Sequence, residues 1–258
     1  MPTDYDNVGE DYLFTKVLPW KRYAERFTYF KAVGPVAGLR MIDVACGDGY
    51  YTRLFREQGA QIVGVDLSQE MIRLAREQEQ REPLGIRYEV ADGTNLEAFL
   101  EQTGLGEFDV SVSQWMFDYA ATRELLQGMC RSLARATRPG GRFVHLGGCF
   151  DSLFNHPENF PRYGIQLEVL ESHGDGSRIR WTVRGQDPSV AEQSVSAENT
   201  MWTPDTITAE LEAAGFTDVA WPPAEVGDEG LAAVSEDYWP DFLKHPYFAV
   251  FSARRRTD

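Results

Sequence analysis

Three acidic residues and two glycines are spaced as a nucleoside-binding crevice requires. Positions 41–52 read M-I-D-V-A-C-G-D-G-Y-Y-T, an apolar run that enters a glycine-rich turn and then becomes helical. Gly47 and Gly49 permit positive φ and let a ligand approach the backbone with no Cβ in the way. The helix start that follows offers backbone N–H groups without intrahelical partners. Asp43 sits inside the strand end, where a buried carboxylate needs partners. Asp66 closes the next apolar run, Q-I-V-G-V-D, where a carboxylate can accept both hydroxyls of a ribose. Asp92 follows a third run, in V-A-D-G. Acidic groups at three consecutive strand ends converge on the ligand crevice of a doubly wound sheet. The glycines could instead serve only a tight turn, but Asp66 and Asp92 in register weigh against that. Asp43 could cap a neighbouring turn, a role compatible with ligand binding. A dinucleotide fingerprint needs a third glycine, and Thr52 stands there.

The surrounding pattern supplies the elements that such a crevice needs. Apolar runs at 39–45, 61–66, 86–91, 108–113 and 142–148 read as strands. Helices are expected at 50–58, 68–81 and 122–137, with Ser68 as N-cap of the second and Pro139-Gly140-Gly141 as a stop after the third. Alternating strands and helices imply parallel βαβ units. The rhythm changes after Gly148. Residues 149–164 read as loop, and 165–171, 178–184 and 194–202 as antiparallel strands around Gly174-Asp175-Gly176. A helix follows from Thr203-Pro204 to Ala214, then strands at 216–221 and 247–254, with 222–246 expected as loop. The aromatic-rich stretch 11–32 reads as one or two helices broken near Pro19.

Composition narrows the partners. The net charge of −15 repels phosphate backbones, so a nucleic-acid substrate is disfavoured and a small organic molecule is the default. No apolar run is long enough to span a membrane, and no signal peptide is expected. Cys46, Cys130 and Cys149 are too scattered for a disulfide framework or a zinc site, which fits a reducing, cytoplasmic setting. No metal site is expected, and the oligomeric state is not legible.

Residues 38–148 resemble the class I S-adenosylmethionine-dependent methyltransferases, on the D-V-A-C-G-D-G turn, Asp66, Asp92 and the stretch L-A-R-A-T-R-P-G-G-R-F-V. W-T-P-D-T-I-T-A-E-L-E-A-A-G-F, at 202–216, matches a form common in small-molecule members. The resemblance implies an α/β fold: a Rossmann-like doubly wound sheet, mostly parallel with an antiparallel last strand, carrying a helical N-terminal lid and an antiparallel insertion. It implies one domain over 1–258, with the lid at 1–37, the cofactor-binding core at 38–148, a substrate-side insertion at 149–202 and a C-terminal helix and strands at 203–258. Asp43, Ala45, Gly47 and Gly49 would then line the methionine part of the cofactor. Asp66 would hold the ribose, with Leu67 and Met71 beside the adenine. Asp92 would accept the adenine amino group, with Ala91 and Gly93 flanking it. Gln114, Trp115 and Met116 would lie under the methionyl group. Tyr12, Arg22 and Tyr23 would cover the site, although a surface salt bridge explains Arg22 equally well. The first 120 residues, with Y-D-N-V-G-E-D-Y and Q-W-M-F-D-Y-A, look like toxoflavin-type enzymes, which methylate nitrogens of a fused heterocycle.

A methyl group on a sulfonium is already activated, so alignment carries most of the catalysis. A base is needed only if the nucleophile keeps its proton. Asp118 and Tyr119, after the fourth strand, and His156, after the fifth, are the candidates. Asp151 and His145 are weaker ones, His145 reading as a core histidine in mid-strand. The expected activity is methyl transfer to a small heteroaromatic metabolite, at nitrogen in preference to oxygen or carbon. A nicotinamide-dependent oxidoreductase and a non-methylating protein that kept the pocket are the rival readings.

Overall fold

The computed structural model describes residues 10–156, 158, 160–171, 174–186 and 192–257, and of residues 10–13 the backbone alone. The β-branched and apolar runs become strands because helices on both sides bury them. β1 (Arg40–Val44) is buried at every position but its first, and β4 (Phe108–Gln114) at all but one. These join β2 (Gln61–Asp66), β3 (Arg87–Val90), β5 (Thr137–Gly148), β9 (Phe216–Ala220) and β10 (Phe248–Arg255) in a seven-stranded sheet of order β3-β2-β1-β4-β5-β10-β9. β1 to β5 run parallel, and β10 is antiparallel to both neighbours. The strand order reverses between β1 and β4, so the crevice opens at their carboxyl ends. This is the α/β, Rossmann-like doubly wound fold expected from the sequence.

The helices carry the capping chemistry their sequences offer. α1 (Arg26–Val33) and α2 (Tyr50–Glu57) precede α3 (Gln69–Arg81), where the Ser68 hydroxyl accepts from the Met71 N–H at 3.2 Å. α4 (Leu96–Thr103) is capped by Asn95, α5 (Arg123–Ala136) by Thr122, and α7 (Pro204–Ala213) by Thr203, with Pro204 in its first turn. α6 (Phe150–Asn155), α8 (Asp228–Ala233) and α9 (Trp239–Lys244) are short.

Several expectations need correction. The 222–246 segment is not simply loop: α8 and α9 form there, anchored by the fully buried Phe242 and Trp239. α6 likewise forms within the stretch 149–164, expected as loop, and α4 was missed because its apolar positions fill only two turns. Pro139-Gly140-Gly141 ends α5 as expected but is itself part of β5. It lies where the β4–β5 register shifts, a position at which a strand tolerates such residues.

β6 (Ile165–Glu171), β7 (Ser177–Arg184) and β8 (Ser194–Met201) form a separate three-stranded antiparallel sheet. Its apolar face, with Ile165, Trp181 and Val195, shares one continuous core with Phe14, Trp20 and Tyr29 of the N-terminal segment and with Val112 and Leu146 of the main sheet. The opposite face of the main sheet packs on α4, α5 and α7 through Phe99, Leu133 and Leu211. The N-terminal segment comprises a 3-10 turn (Glu10–Val17), a π turn (Trp20–Glu25) and α1, with Pro19 at the junction of the first two. No helix among the described residues is long and apolar enough to cross a membrane.

Candidate active site

β1 delivers Asp43 to the floor of the crevice with no solvent exposure. The Thr52 hydroxyl donates to its Oδ2 at 2.6 Å, and Gln114 Nε2, from the end of β4, to its Oδ1 at 3.1 Å. The same Gln114 nitrogen donates to the Tyr29 hydroxyl at 2.7 Å, which donates to the Ser113 carbonyl at 3.3 Å. One polar network thus ties α1, β1, α2 and β4 together. Burial pushes the Asp43 carboxyl up to about 7; the bonds from Thr52 and Gln114 pull it down, and the Asp66 charge adds to the rise. Thr52, which stands where a dinucleotide fingerprint has glycine, is committed to this network.

Asp66, at the end of β2, accepts from the Gly47 N–H at 2.8 Å and the Ser68 N–H at 2.9 Å. It therefore fixes both the glycine-rich turn and the start of α3. Leu67 beside it is 49% exposed, while Met71 in the first turn of α3 is buried. Ala91 donates its N–H to the Asp66 carbonyl at 2.9 Å. Asp92 Oδ1 accepts from the Thr94 N–H and hydroxyl at 2.8 and 2.7 Å. Gly93 lies against Met116, whose methyl would be 2.7 Å from a Cβ there.

Two non-glycine residues next to the crevice adopt left-handed backbone, Ala45 at φ 61° and Trp115 at φ 59°. They directly follow β1 and β4, the two strands that flank the switch point. Such strain of about 1–3 kcal/mol per residue collects at functional sites. Gly47 and Gly49 are left-handed too, but for different reasons. A Cβ on Gly47 would meet no heavy atom within 4 Å, whereas one on Gly49 would collide with the Tyr88 hydroxyl at 2.4 Å.

The base candidates scatter. Tyr119 faces a narrow cleft beyond β4. Asp118 does not line it: its Oδ2 accepts from the Gly148 N–H at 3.1 Å, and burial raises its carboxyl to about 7. His156 stacks on His245 at 3.6 Å and lies 3.7 Å from Glu158. Asp151 is exposed and holds Asn155. His145 is a core residue, as expected: burial lowers it to about 3, Ser113 Oγ lies 2.7 Å from its Nδ1, and Phe117 stacks on it at 4.6 Å. Arg22 and Tyr23 line a separate groove with Phe27 and Phe30, so the structure does not gather them with the crevice residues. The Tyr12 side chain lies outside the described residues. In place of these, Lys16 pairs with Asp48 of the glycine-rich turn.

The cleft is nearly closed, with a volume of about 20 Å³, so its walls must part to admit a ligand, and its lining comes from four distant segments. Thr15, Trp20 and Lys21 come from the N-terminal segment, Trp115 and Tyr119 from the end of β4. Trp181, Val183 and Asn199 belong to the insertion sheet, and Tyr247 precedes β10. Sequence reasoning named only Trp115 and Tyr119 among these. The concentration of tryptophan and tyrosine before residue 30 was the one available signal; that segment lines the cleft through Thr15, Trp20 and Lys21, while Arg22 and Tyr23 line the separate groove.

Residues 42–145 match the family described as a methyltransferase domain. The demethylmenaquinone methyltransferase of Tropheryma whipplei is 25% identical over 229 residues, 88% of this chain and 84% of that protein. The ubiquinone biosynthesis O-methyltransferase of Xanthomonas oryzae is 31% identical over 45% of this chain and 46% of its own. A crystal structure of an S-adenosylmethionine-dependent methyltransferase from Clostridium acetobutylicum superposes with a TM-score of 0.62 at 16% identity, covering 95% of this chain and 96% of that one. The chain is a class I S-adenosylmethionine-dependent methyltransferase.

S-adenosylmethionine is accordingly the methyl donor of this methyltransferase. The crevice fits it on its own terms: open space over Gly47, an uncovered Leu67, and carboxylates at the ends of β1 and β2. A small-molecule acceptor fits the family. Among the described residues, no three His, Cys, Asp or Glu side chains cluster to hold a metal ion.

Proposed function

We propose that the protein transfers the methyl group of S-adenosylmethionine to a ring nitrogen of a small, planar heteroaromatic metabolite. The observation that carries this reading is the aromatic cleft at the carboxyl end of β4, lined by Trp20, Trp115, Trp181 and Tyr247. The resemblance of the N-terminal segment to toxoflavin-type enzymes favours nitrogen over oxygen or carbon. A relative named for methylating demethylmenaquinone supports a small acceptor, and the net charge of −15 argues against nucleic acid. The three cysteines, all unpaired, suit a reducing cytoplasm.

In this reading Asp43, Ala45, Gly47, Gly49, Gln114, Trp115 and Met116 cradle the methionyl part of the donor. Asp66 holds the ribose hydroxyls, Leu67 and Met71 flank the adenine, and Ala91, Asp92 and Gly93 receive its edge. The whole chain works as one domain, with the insertion sheet and the N-terminal turns closing the acceptor side. When bound, the donor supplies a methyl group already activated on a positively charged sulfur. The chain's own contribution is alignment: the aromatic faces fix the acceptor plane, and such positioning is worth roughly 7–11 kcal/mol in favourable cases.

Two measurements test the reading. Calorimetry with S-adenosylhomocysteine is expected to show saturable binding, and its absence from purified protein would sink the crevice assignment. Mass spectrometry of fused heterocycles incubated with protein and donor is expected to show the gain of one methylene unit. Methylation of open-chain amines alone would overturn the planar acceptor.

A further inference from the structure

The cleft beside β4 is chemically lopsided. Its lining contains one ammonium group, Lys21, and neither a carboxylate nor a histidine among the described residues. Lys21 is only 4% exposed, so its charge is poorly screened by water. Its Nζ lies 5.8 Å from the Trp20 ring and 5.5 Å from the Trp115 ring, held between two cleft walls. Behind it, Nζ donates to Glu25 Oε1 at 2.9 Å, and that same oxygen accepts from the Tyr51 hydroxyl at 2.6 Å. The carboxylate is therefore shared with α2, and Glu25 is not among the residues that line the cleft, whereas Lys21 is. Lys16, a like charge paired with Asp48, stands on the preceding turn, and the phenols of Tyr119 and Tyr247 line the same cleft.

Two further donors accompany the charge. The indole N–H groups of Trp20 and Trp115 are buried and have no hydrogen-bond partner in the protein. Orphaned donors cost free energy until something accepts from them. An occupant that brings acceptor atoms and negative charge suits this environment, and a cationic ring does not. The absence of a base completes the case. Asp118 is bound to the Gly148 N–H and His156 packs on His245, so among the described lining residues an acceptor that kept its proton would find only the phenols of Tyr119 and Tyr247, both poor bases at neutral pH.

Resting on the methyl-transfer reading above, we propose that Lys21 makes the cleft selective for the anionic form of a planar acceptor, such as a ring lactam or imide. The acceptor gives its proton to solvent as it binds, and no protein base takes part. The anionic ring nitrogen then donates its lone pair to the methyl carbon. The methyl–sulfur bond breaks with its pair left on sulfur. Anion and sulfonium cation become two neutral products, and no proton remains to be removed.

Lumazine, a fused bicyclic dione whose absorption spectrum changes when a ring N–H ionises, serves as the probe. Its spectrum is titrated against pH free in solution and bound to the protein saturated with S-adenosylhomocysteine. On the wild type, the bound probe is expected to ionise about one pH unit below the free one, which means the anion binds roughly tenfold more tightly than the neutral ring. Lys21→Arg is expected to keep that preference. Lys21→Met combined with Glu25→Gln, which removes both charges so that no buried carboxylate is stranded, is expected to abolish it. Equal affinity for both ring forms on the wild type, failure of lumazine to bind, or a preference that survives in the double variant each overturns the proposal. The wild-type titration decides by itself if the double variant does not fold. S-adenosylhomocysteine affinity reports separately: if it is intact while the anion preference is missing, only the role of Lys21 fails. If it is missing, the methyl-transfer site itself is misplaced.

Discussion

The crevice and the cleft meet at Trp115, yet they are assembled in opposite ways. The crevice takes its polar groups from the ends of neighbouring parallel strands, where Asp43, Asp66 and Gln114 are fixed by backbone register and by one another. The cleft takes its lining from side chains between residue 15 and residue 247, brought together only by the packing of the insertion sheet and the N-terminal turns. A short motif suffices for the first. The second exists only once the whole chain has folded. The crevice is rich in carboxylates and suits a cationic donor. The cleft is rich in N–H groups and aromatic faces and suits an acceptor of the opposite charge.

The largest separation of the two regions is expected from Asp66→Ala. It removes a carboxylate proposed to take two hydroxyls, along with the staple on the Gly47 and Ser68 N–H groups. Hydrogen bonds to charged groups contribute about 1.5–3 kcal/mol each, so S-adenosylhomocysteine affinity should fall on the order of 100-fold or more. Lumazine binding measured without the donor analogue should stay within about threefold, because Asp66 is not among the residues that line the cleft. Unchanged affinity for S-adenosylhomocysteine would mean the crevice lies elsewhere.

Within the crevice, Gly47→Ala and Gly49→Ala should part ways. Both positions are left-handed, which costs an alanine roughly 1–2 kcal/mol. At Gly49 the added methyl also meets the Tyr88 ring, part of the core, so a loss of about 2–4 kcal/mol of stability is expected in urea unfolding. At Gly47 the methyl enters empty space. That variant should fold with a loss of about 1–2 kcal/mol and lose donor affinity instead. Equal behaviour of the two would show that Gly47 is only a turn residue.

This contrast also explains what the sequence could reveal. The order of elements was legible because strand and helix periodicities are local, and the placement of Asp43, Asp66 and Asp92 at the ends of β1, β2 and β3 was legible because the motif is contiguous with its strands. Trp20, Lys21 and Trp181 were not, since a buried tryptophan in a core and one in a cleft have the same sequence signature. The turn at 20–25 makes the point. Arg22 looked like the natural partner for a ligand carboxylate, but the π turn leaves it exposed and sends Lys21 inward. A side chain's facing cannot be read from composition when the turn is not α-helical. Asp118 failed for a related reason: it follows β4 as expected, but the Gly148 N–H captures it.

A smaller effect, in protons rather than in affinity, should mark the Asp43 network. Its folded carboxyl is raised to about 7 from an ordinary value of 3.8, chiefly by burial. The folded state therefore holds this proton more tightly than the unfolded chain does. The resulting stability is fully present below about pH 4 and is lost as pH rises through 7. Asp118 adds in the same direction. The thermal midpoint of the free protein should fall between pH 5 and pH 7.5, and Asp43→Asn should flatten that slope. A donor analogue carrying an ammonium group favours the ionised carboxylate, so its binding near pH 7 should release a fraction of a proton. Calorimetry in two buffers of different ionisation enthalpy measures this, and proton uptake would contradict the assignment.

The smallest effect is expected at Tyr119, and its smallness is informative. Tyr119 is the only base candidate that reaches the cleft. General base catalysis is worth roughly 10²–10⁴-fold when it operates. If the acceptor arrives already ionised, opposite Lys21, that contribution is not needed. Tyr119→Phe should then change kcat/KM by less than about threefold for whichever heterocycle gains a methyl, and leave the pH profile where it was. A drop of 100-fold or more, with the alkaline limb of the profile displaced, would make Tyr119 the base. The acceptor would then enter as its neutral form, and the ammonium of Lys21 would be left to hold Glu25 and the aromatic walls in place.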